Sequence, residues 1–198
     1  MSAPVVHGGR KVAFPVRSFD GNLLRLHVRP IPPDQGDWFY WPSVNTPALP
    51  LVLGSFDSAK MLSITEGEWD VLTLCHASGW FDHDAAWPED ICAIGIRGAS
   101  GWRAFIEHYS PSWPNPAPSC LLLPDRDEEG KRWLSDEGDT FFNALRSRCR
   151  LIVTRGVVGA KDLNARHKAH PISKAEVAEM LLGARLVDAR GVVIREIG

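Results

Sequence analysis

Apolar and polar residues alternate through Lys11–Arg17 and again through residues 23–29, and the two runs flank Asp20-Gly21. Successive side chains of a strand point to opposite faces, so this period of two around an Asp-Gly step predicts a β-hairpin. Its polar positions hold Lys11, Arg17, Arg25 and Arg29, and the pattern alone reads them as a solvated strand face. Residues 30–58 are rich in proline, aspartate and aromatics. They predict an irregular connector with one short strand, Trp38 to Trp41. Its aromatics either pack the hairpin against the rest of the chain or stack on bases.

From residue 61 the pattern changes to short apolar runs separated by segments of helical spacing, which predicts an α/β arrangement. Met61–Thr65 reads as a strand, and residues 68–78 as a helix with Val71, Leu72, Leu74 and Cys75 inward and Gly79 as its stop. The continuous apolar run 91–96 predicts a strand buried on both faces. A short helix over Trp102–Tyr109, a strand over 120–123 and a strand over Leu151–Thr154 follow the same logic. Residues 131–148 read as one long helix with Leu134, Phe141 and Leu145 inward, and 159–164 as a polar loop. Ser173-Lys174-Ala175-Glu176 is a capping box that opens a helix to Leu182. A last hairpin is expected from Leu186-Val187 and residues 192–194 around Arg190-Gly191.

Composition narrows this little. The chain has 198 residues, 44% hydrophobic and 23% charged, with a formal net charge of −2, so one domain with or without an appendage is expected and any nucleic-acid surface must be local. Cys75, Cys92, Cys120 and Cys149 form no C-x-x-C pair, and three of them sit in apolar runs. That usage predicts buried free thiols in a reducing compartment. No apolar stretch approaches the ~20 residues of a membrane span, and the amino terminus lacks a signal-peptide core. A cytoplasmic protein with no membrane partner is the expectation.

The predicted strand ends carry the chemistry. Met61–Thr65 runs into Glu66-Gly67, the strand 120–123 into Asp125-Arg126-Asp127, and the later loops hold Gly98 to Gly101 and Lys161-Asp162. In an extended segment Asp125 and Asp127 point the same way and can approach one cation together. Each feature alone is a common surface turn. Together they predict a shared acidic site for a divalent metal, which prefers carboxylate oxygens.

In their order, Thr65-Glu66-Gly67-Glu68-x-Asp70, Gly98-Ala99-Ser100-Gly101, Asp125-x-Asp127-x-x-Gly130 and Lys161-Asp162 resemble a TOPRIM domain. This is the metal-binding α/β module of bacterial-type DNA primases, type IA and II topoisomerases and some nucleases. The resemblance covers residues 61 to about 165. Upstream, Lys11, Phe14-Pro15, Arg17, Gly21 and Arg29 are similar, without a gap, to the segment R-[IV]-M-F-P-I-R-D-x-x-G-R-[IV]-I-G-F-G-G-R that precedes this module in bacterial primases.

The resemblance implies an α/β fold, a TOPRIM-like open sheet of about four parallel strands flanked by helices, preceded by a small β-rich subdomain. Residues 1–58 would form that basic subdomain, 59–165 the TOPRIM domain, and 166–198 a carboxy-terminal helix and hairpin. The implied activity is DNA primase-type nucleotidyl transfer, making short primers on single-stranded DNA from nucleotide triphosphates. Glu66, Asp125 and Asp127 would be catalytic, and Glu66, Asp70, Asp125, Asp127 and Asp162 would hold Mg²⁺ or Mn²⁺. Lys11, Arg17, Arg25, Arg29, Arg126 and Lys161 would meet template or triphosphates, and a replicative helicase is an implied partner.

Alternatives are a TOPRIM nuclease and a non-catalytic nucleic-acid-binding or replication accessory module. The chain departs from the pattern at Lys11, at His27-Val28 in place of glycines, at Arg126, and at Asp162-Leu163-Asn164 in place of Asp-Pro-Asp. It shows no zinc-ribbon Cys/His spacing and no G-x-x-x-x-G-K-[ST]. With only Tyr40 and Tyr109, a topoisomerase nucleophile is not expected. His76, His83 and His108 lack metal-ligand spacing. Arg166, His167, Lys168 and His170 read either as a phosphate-holding group or as a solvated approach to a helix. The scattered tryptophans read as packing residues.

Overall fold

The computed structural model describes residues 5–7, 11–18, 20–30, 39–41, 49–82, 84, 86–98, 100–135, 137–154, 159–182, 185–188 and 193–196. Trp38, His83, Ala99 and the expected turn Arg190-Gly191 with Val192 lie outside the described residues.

The alternating amino-terminal runs pair as expected. β1 (Val5–His7), β2 (Lys11–Arg17), β3 (Leu23–Pro30) and β4 (Phe39–Trp41) form an antiparallel sheet in that order. Gly21 takes φ +84 at the β2–β3 turn, a left-handed conformation that glycine adopts without a Cβ clash. The period is right, and in β2 Lys11 is exposed with Val12, Phe14 and Val16 buried, but in β3 the face differs. Arg25 and His27 are buried, at 7% and 3% exposure, while Leu24, Leu26 and Val28 at the alternate positions are only half-buried. The polar side of β3 therefore turns inward, which a buried ion cluster described below makes tenable.

The second sheet has seven strands: β5 (Leu51–Leu53), β6 (Met61–Thr65), β7 (Ile91–Gly95), β8 (Ser119–Leu123), β9 (Leu151–Thr154), β10 (Arg185–Asp188) and β11 (Val193–Glu196). Their order is β11-β10-β9-β8-β6-β7-β5. The four parallel strands β9, β8, β6 and β7 are the open sheet expected from the apolar runs, and antiparallel pairs close both sides. β5 lies in the stretch read as irregular connector. Three residues are too few to show a period.

Six helices flank the strands among the described residues: α1 (Glu68–Ala77), α2 (Trp102–Tyr109), α3 (Glu128–Trp133), α4 (Phe141–Arg146), α5 (Leu163–Ala169) and α6 (Lys174–Leu182). The single helix expected over 131–148 is two helices, α3 and α4. Gly138 takes φ +75 between them, and the Thr140 hydroxyl caps α4 by accepting from the Asn143 N–H at 3.3 Å. Leu134 is consequently 38% exposed, and Trp133 is buried in its place. The capping box holds: the Ser173 N–H donates to the Glu176 carboxylate at 2.9 Å and the Glu176 N–H to the Ser173 hydroxyl at 3.2 Å.

Strand alternation sorts the core. Leu62, Ile64, Cys92, Ile94, Cys120, Leu122 and Ile152 face α2 and α4, where Trp102, Phe105, Phe141 and Leu145 cover them. Leu121, Leu123 and Val153 face the opposite layer with Leu74 of α1, Leu163 of α5 and Val177 of α6. Val12 and Phe14 of the small sheet pack on Leu51, Leu53, Ala93 and the outer side of α1. All four cysteines are buried and free. No helix among the described residues is long and apolar enough to cross a membrane.

Candidate active site

Parallel strands deliver their following loops to one edge of a sheet, where ligands of open α/β sheets collect. Here that edge receives Glu66 after β6, Gly98 after β7, Asp125 and Asp127 after β8, and Lys161-Asp162 beyond β9. The loops are tied together by backbone donors. The Asp125 N–H donates to Glu66 Oε2 at 3.3 Å, and the Arg126 N–H to the Lys161 carbonyl at 2.7 Å. The Asn164 N–H donates to Asp70 Oδ1 at 3.0 Å, joining α1 to α5.

Asp127 and Asp162 also serve as helix caps. Asp127 Oδ1 accepts from the Glu129 and Gly130 N–H groups, both at 3.0 Å, and Asp162 Oδ1 from the Ala165 N–H at 2.6 Å. The residues read as a polar loop thus start α5. Gly130 is required for another reason: a Cβ there would overlap the Asp125 carbonyl oxygen. The first turn of α3 lies directly against the strand end that presents Asp125.

Burial and crowding shape the charges. Glu66 is pushed up to about 7 by burial and then by the Asp125 carboxylate. Asp70 is also raised to about 7, mainly by burial, against the Asn164 hydrogen bond and with Asp162 and Asp125 nearby. Asp125 rises to about 6 through burial and Asp162. Asp127 goes the other way, lowered chiefly by the Gly130 N–H and also by Lys161. Lys161 Nζ lies 3.2 Å from Asp127 and 3.7 Å from Asp125, and these neighbours raise its pKa, Asp127 foremost.

Among the described residues no three His, Cys, Asp or Glu side chains converge closely enough to hold a metal ion as they stand. The donor set nevertheless suits a hard cation. Several oxygen donors share one edge, and three carry charge that burial and mutual repulsion disfavour. A cation is what would relieve them.

A cavity of about 350 Å³ joins the two sheets. Its lining takes Glu66, Asp70, Asp125, Lys161 and Asp162 from the strand-end loops and the start of α1, and His27, Arg29, Glu68 and Arg97 from the junction of the two sheets. Of the basic residues singled out in the sequence, Arg29 and Lys161 reach this cavity. Lys11 and Arg126 are exposed outside its lining, and Arg17 Nη1 donates to the Gly21 carbonyl at 2.7 Å in the hairpin turn. Arg25 is buried. Asp127 stands beside the cavity rather than in its wall.

Sequence reasoning missed Glu68, which is 1% exposed. His27 Nδ1 is hydrogen-bonded to its Oε1, Arg97 Nε lies 3.2 Å from the same oxygen, and Arg29 Nη1 lies 3.5 Å from Oε2. Burial alone would raise Glu68, but His27, Arg97 and Arg29 together hold it below the usual carboxylate range. Burial lowers the His27 pKa against the pull of Glu68. The available signal was spacing: Glu68 precedes the fully buried Val71 and Cys75 by three and seven residues, on the same side of α1. Farther off, the His167 ring accepts from the Ile172 N–H at 3.0 Å and Arg166 pairs with Glu176 at 2.9 Å, so both support the α5–α6 junction.

No family model matches the chain, and no curated protein matches it in sequence. Solved structures do match in fold. The primase fragment of the bacteriophage T7 primase-helicase protein superposes with a TM-score of 0.58 at 17% identity, over 90% of this chain and 66% of that one. The Aquifex aeolicus primase, comprising zinc-binding and RNA polymerase domains, gives 0.58 at 13% identity over 93% of this chain and 44% of that one. A DnaG primase catalytic domain bound to single-stranded DNA gives 0.53 at 15% identity, over 88% and 52%. The chain therefore spans 44% to 66% of the length of these structures. Its two sheets, joined at an acidic strand-end edge, have the fold of a DnaG-type primase catalytic core.

Proposed function

We propose that this chain is the TOPRIM-containing core of a DNA primase-like nucleotidyltransferase. The observation that carries the reading is the two-signed lining of the cavity: carboxylates with raised pKa from the strand-end loops, and the part-exposed guanidinium of Arg29 from β3. A nucleotide triphosphate is an anion that travels with a divalent cation, and such a cavity suits both parts. Glu66, Asp70, Asp125, Asp127 and Asp162 would hold Mg²⁺ or Mn²⁺. When bound, the ion supplies positive charge against the transferring phosphoryl group and favours the attacking oxygen as its anion.

The chain's own residues do the rest. Glu66, at the tip of the β6 loop, is the carboxylate that accepts or returns a proton at the reacting hydroxyl. Lys161 exchanges its carboxylate partners for a phosphate oxygen, and Arg29 receives phosphates from β3. Lys11, Arg17 and Arg126 supply local positive charge for the template backbone. Arg25, being buried, serves the packing of β3 instead. The buried free thiols accord with a cytoplasmic replication protein. A replicative helicase is the protein partner this reading proposes.

The test is primer synthesis on single-stranded DNA with four ribonucleotides and Mg²⁺ or Mn²⁺, beside Asp125→Ala/Asp127→Ala. Short products that vanish in the variant are the expected result. Intact template with no product in any condition overturns the catalytic reading and leaves a binding module. Shortened template without triphosphates redirects it to phosphodiester hydrolysis by the same acids.

A further inference from the structure

Glu68 sits two residues beyond Glu66, in the first turn of α1, and contributes nothing to the acidic wall. Its carboxylate instead gathers side chains from two other parts of the fold. His27 and Arg29 come from β3, and Arg97 from the loop after β7. Arg97 is itself anchored, its Nη2 donating to the Pro15 carbonyl of β2 at 3.2 Å. One buried anion therefore ties β2, β3, α1 and the β7 loop at the point where the two sheets meet. The inward turn of His27 on β3 fits this knot, since Glu68 receives its buried ring.

The consequence lies at Arg29. Its side chain is 29% exposed and lines the same cavity as the acids, while its Nη1 lies 3.5 Å from Glu68 Oε2. A long guanidinium side chain in water samples many rotamers, and ordering it on ligand binding costs affinity. Glu68 removes that cost in advance, and its own position is set by His27 and Arg97 on its other oxygen. Because Glu68 and Glu66 share one short corner, the anion-receiving and cation-receiving walls are held in fixed relation.

We infer that Glu68, clamped by His27 and Arg97, is a positioning residue that holds Arg29 in place to receive the polyphosphate of a nucleotide. This rests on the nucleotidyltransferase reading for the identity of the ligand, but the geometry can be tested without catalysis. The sign of one effect separates positioning from charge. If Glu68 mattered only through its charge, removing that charge would raise the positive potential and tighten the binding of a polyanion. If it positions Arg29, removing it loosens binding.

The experiment is calorimetric titration of the whole chain with inorganic triphosphate in EDTA at constant pH, for wild type, Glu68→Gln, Arg29→Met and the double variant. Each single variant is expected to weaken binding about tenfold, and the double about tenfold rather than about a hundredfold, because both act through one contact. Should Glu68→Gln not fold, Glu68→Asp keeps the charge but withdraws it by one methylene, and it is expected to weaken binding in the same direction. Equal or tighter binding by Glu68→Gln, additive losses in the double variant, or no binding by wild type each overturn the inference.

The same proteins in the primer assay should show a raised KM for nucleotide with kcat held within about threefold, as loss of uniform binding predicts. A kcat loss at unchanged KM is the opposite result and overturns it. Failure of the nucleotidyltransferase reading has a separate signature: triphosphate binding that depends on Glu68 and Arg29 in a protein that makes no primers.

Discussion

Two carboxylate groupings line one cavity and are built on opposite principles. At the strand-end edge, burial first and neighbouring carboxylates second push Glu66, Asp70 and Asp125 up to about 7, 7 and 6. At the sheet junction a single buried carboxylate, Glu68, is surrounded by His27, Arg29 and Arg97, and its pKa falls. Burial acts in the same direction on both, so the neighbours decide the difference. The first grouping holds raised pKa values that a bound cation would lower. The second carboxylate has cationic neighbours of its own, one of them a guanidinium that lines the cavity.

The largest expected effect strikes the strand-end edge. Asp125→Ala/Asp127→Ala should abolish both divalent-ion binding, read by calorimetry, and primer synthesis. Retained Mg²⁺ binding in that variant would move the metal site elsewhere.

At the sheet junction, Glu68→Ala leaves buried cations without their anion and should cost about 3–5 kcal/mol of unfolding free energy in a denaturant titration. A cost below about 1 kcal/mol would mean that water already screens the cluster. Gly130→Ala is next. It forces a Cβ into the Asp125 carbonyl and should cost about 1–3 kcal/mol as an overpacking change, with reduced Mg²⁺ affinity because Asp125 moves.

Asp70→Asn should do the reverse of Glu68→Ala. It keeps an oxygen for the Asn164 N–H and removes a buried, repelled charge, so in EDTA near pH 8 the variant should be more stable by about 1 kcal/mol. Lower stability would show that Asp70 already has a cationic partner in solution.

The last effect is a slope. Glu66, Asp70 and Asp125 hold pKa values above those of the unfolded chain, so the native state binds more protons between about pH 4 and 7. Unfolding free energy in EDTA should therefore fall as pH rises through that window and level off above it. Asp127 and Glu68 are lowered and act in the opposite sense, below about pH 4.5. Thermal melts at about pH 5.5 and 7.5 read the slope, and saturating Mg²⁺ should flatten it. A rise in stability over the same interval without metal would contradict the raised values.

Much of this was legible in the chain itself. Period-two alternation around Asp20-Gly21 determined the hairpin, and four apolar runs determined the parallel strands with Glu66, Asp125 and Asp162 beyond their ends. Those features are local: a strand shows its two faces in its own residues, and a loop after a parallel strand must emerge at a known edge. The break at Gly138-Asp139-Thr140 was equally local, a left-handed glycine and a capping threonine inside the span whose spacing reads as one helix.

Tertiary structure alone decided three things. Which face of β3 is inside could not be read, because Arg25 and His27 look outward by polarity and turn inward only where the fold offers them partners. The partners of Glu68 lie 29 to 41 residues away in sequence, at Arg97 and His27, and no local pattern links them. Raised and lowered pKa values among residues of one type depend on burial and on neighbours brought from other strands. Charge acts through space and burial depends on the whole fold, so the sequence determines where carboxylates stand along the chain, and the fold decides which are buried beside like charge and which beside cationic side chains.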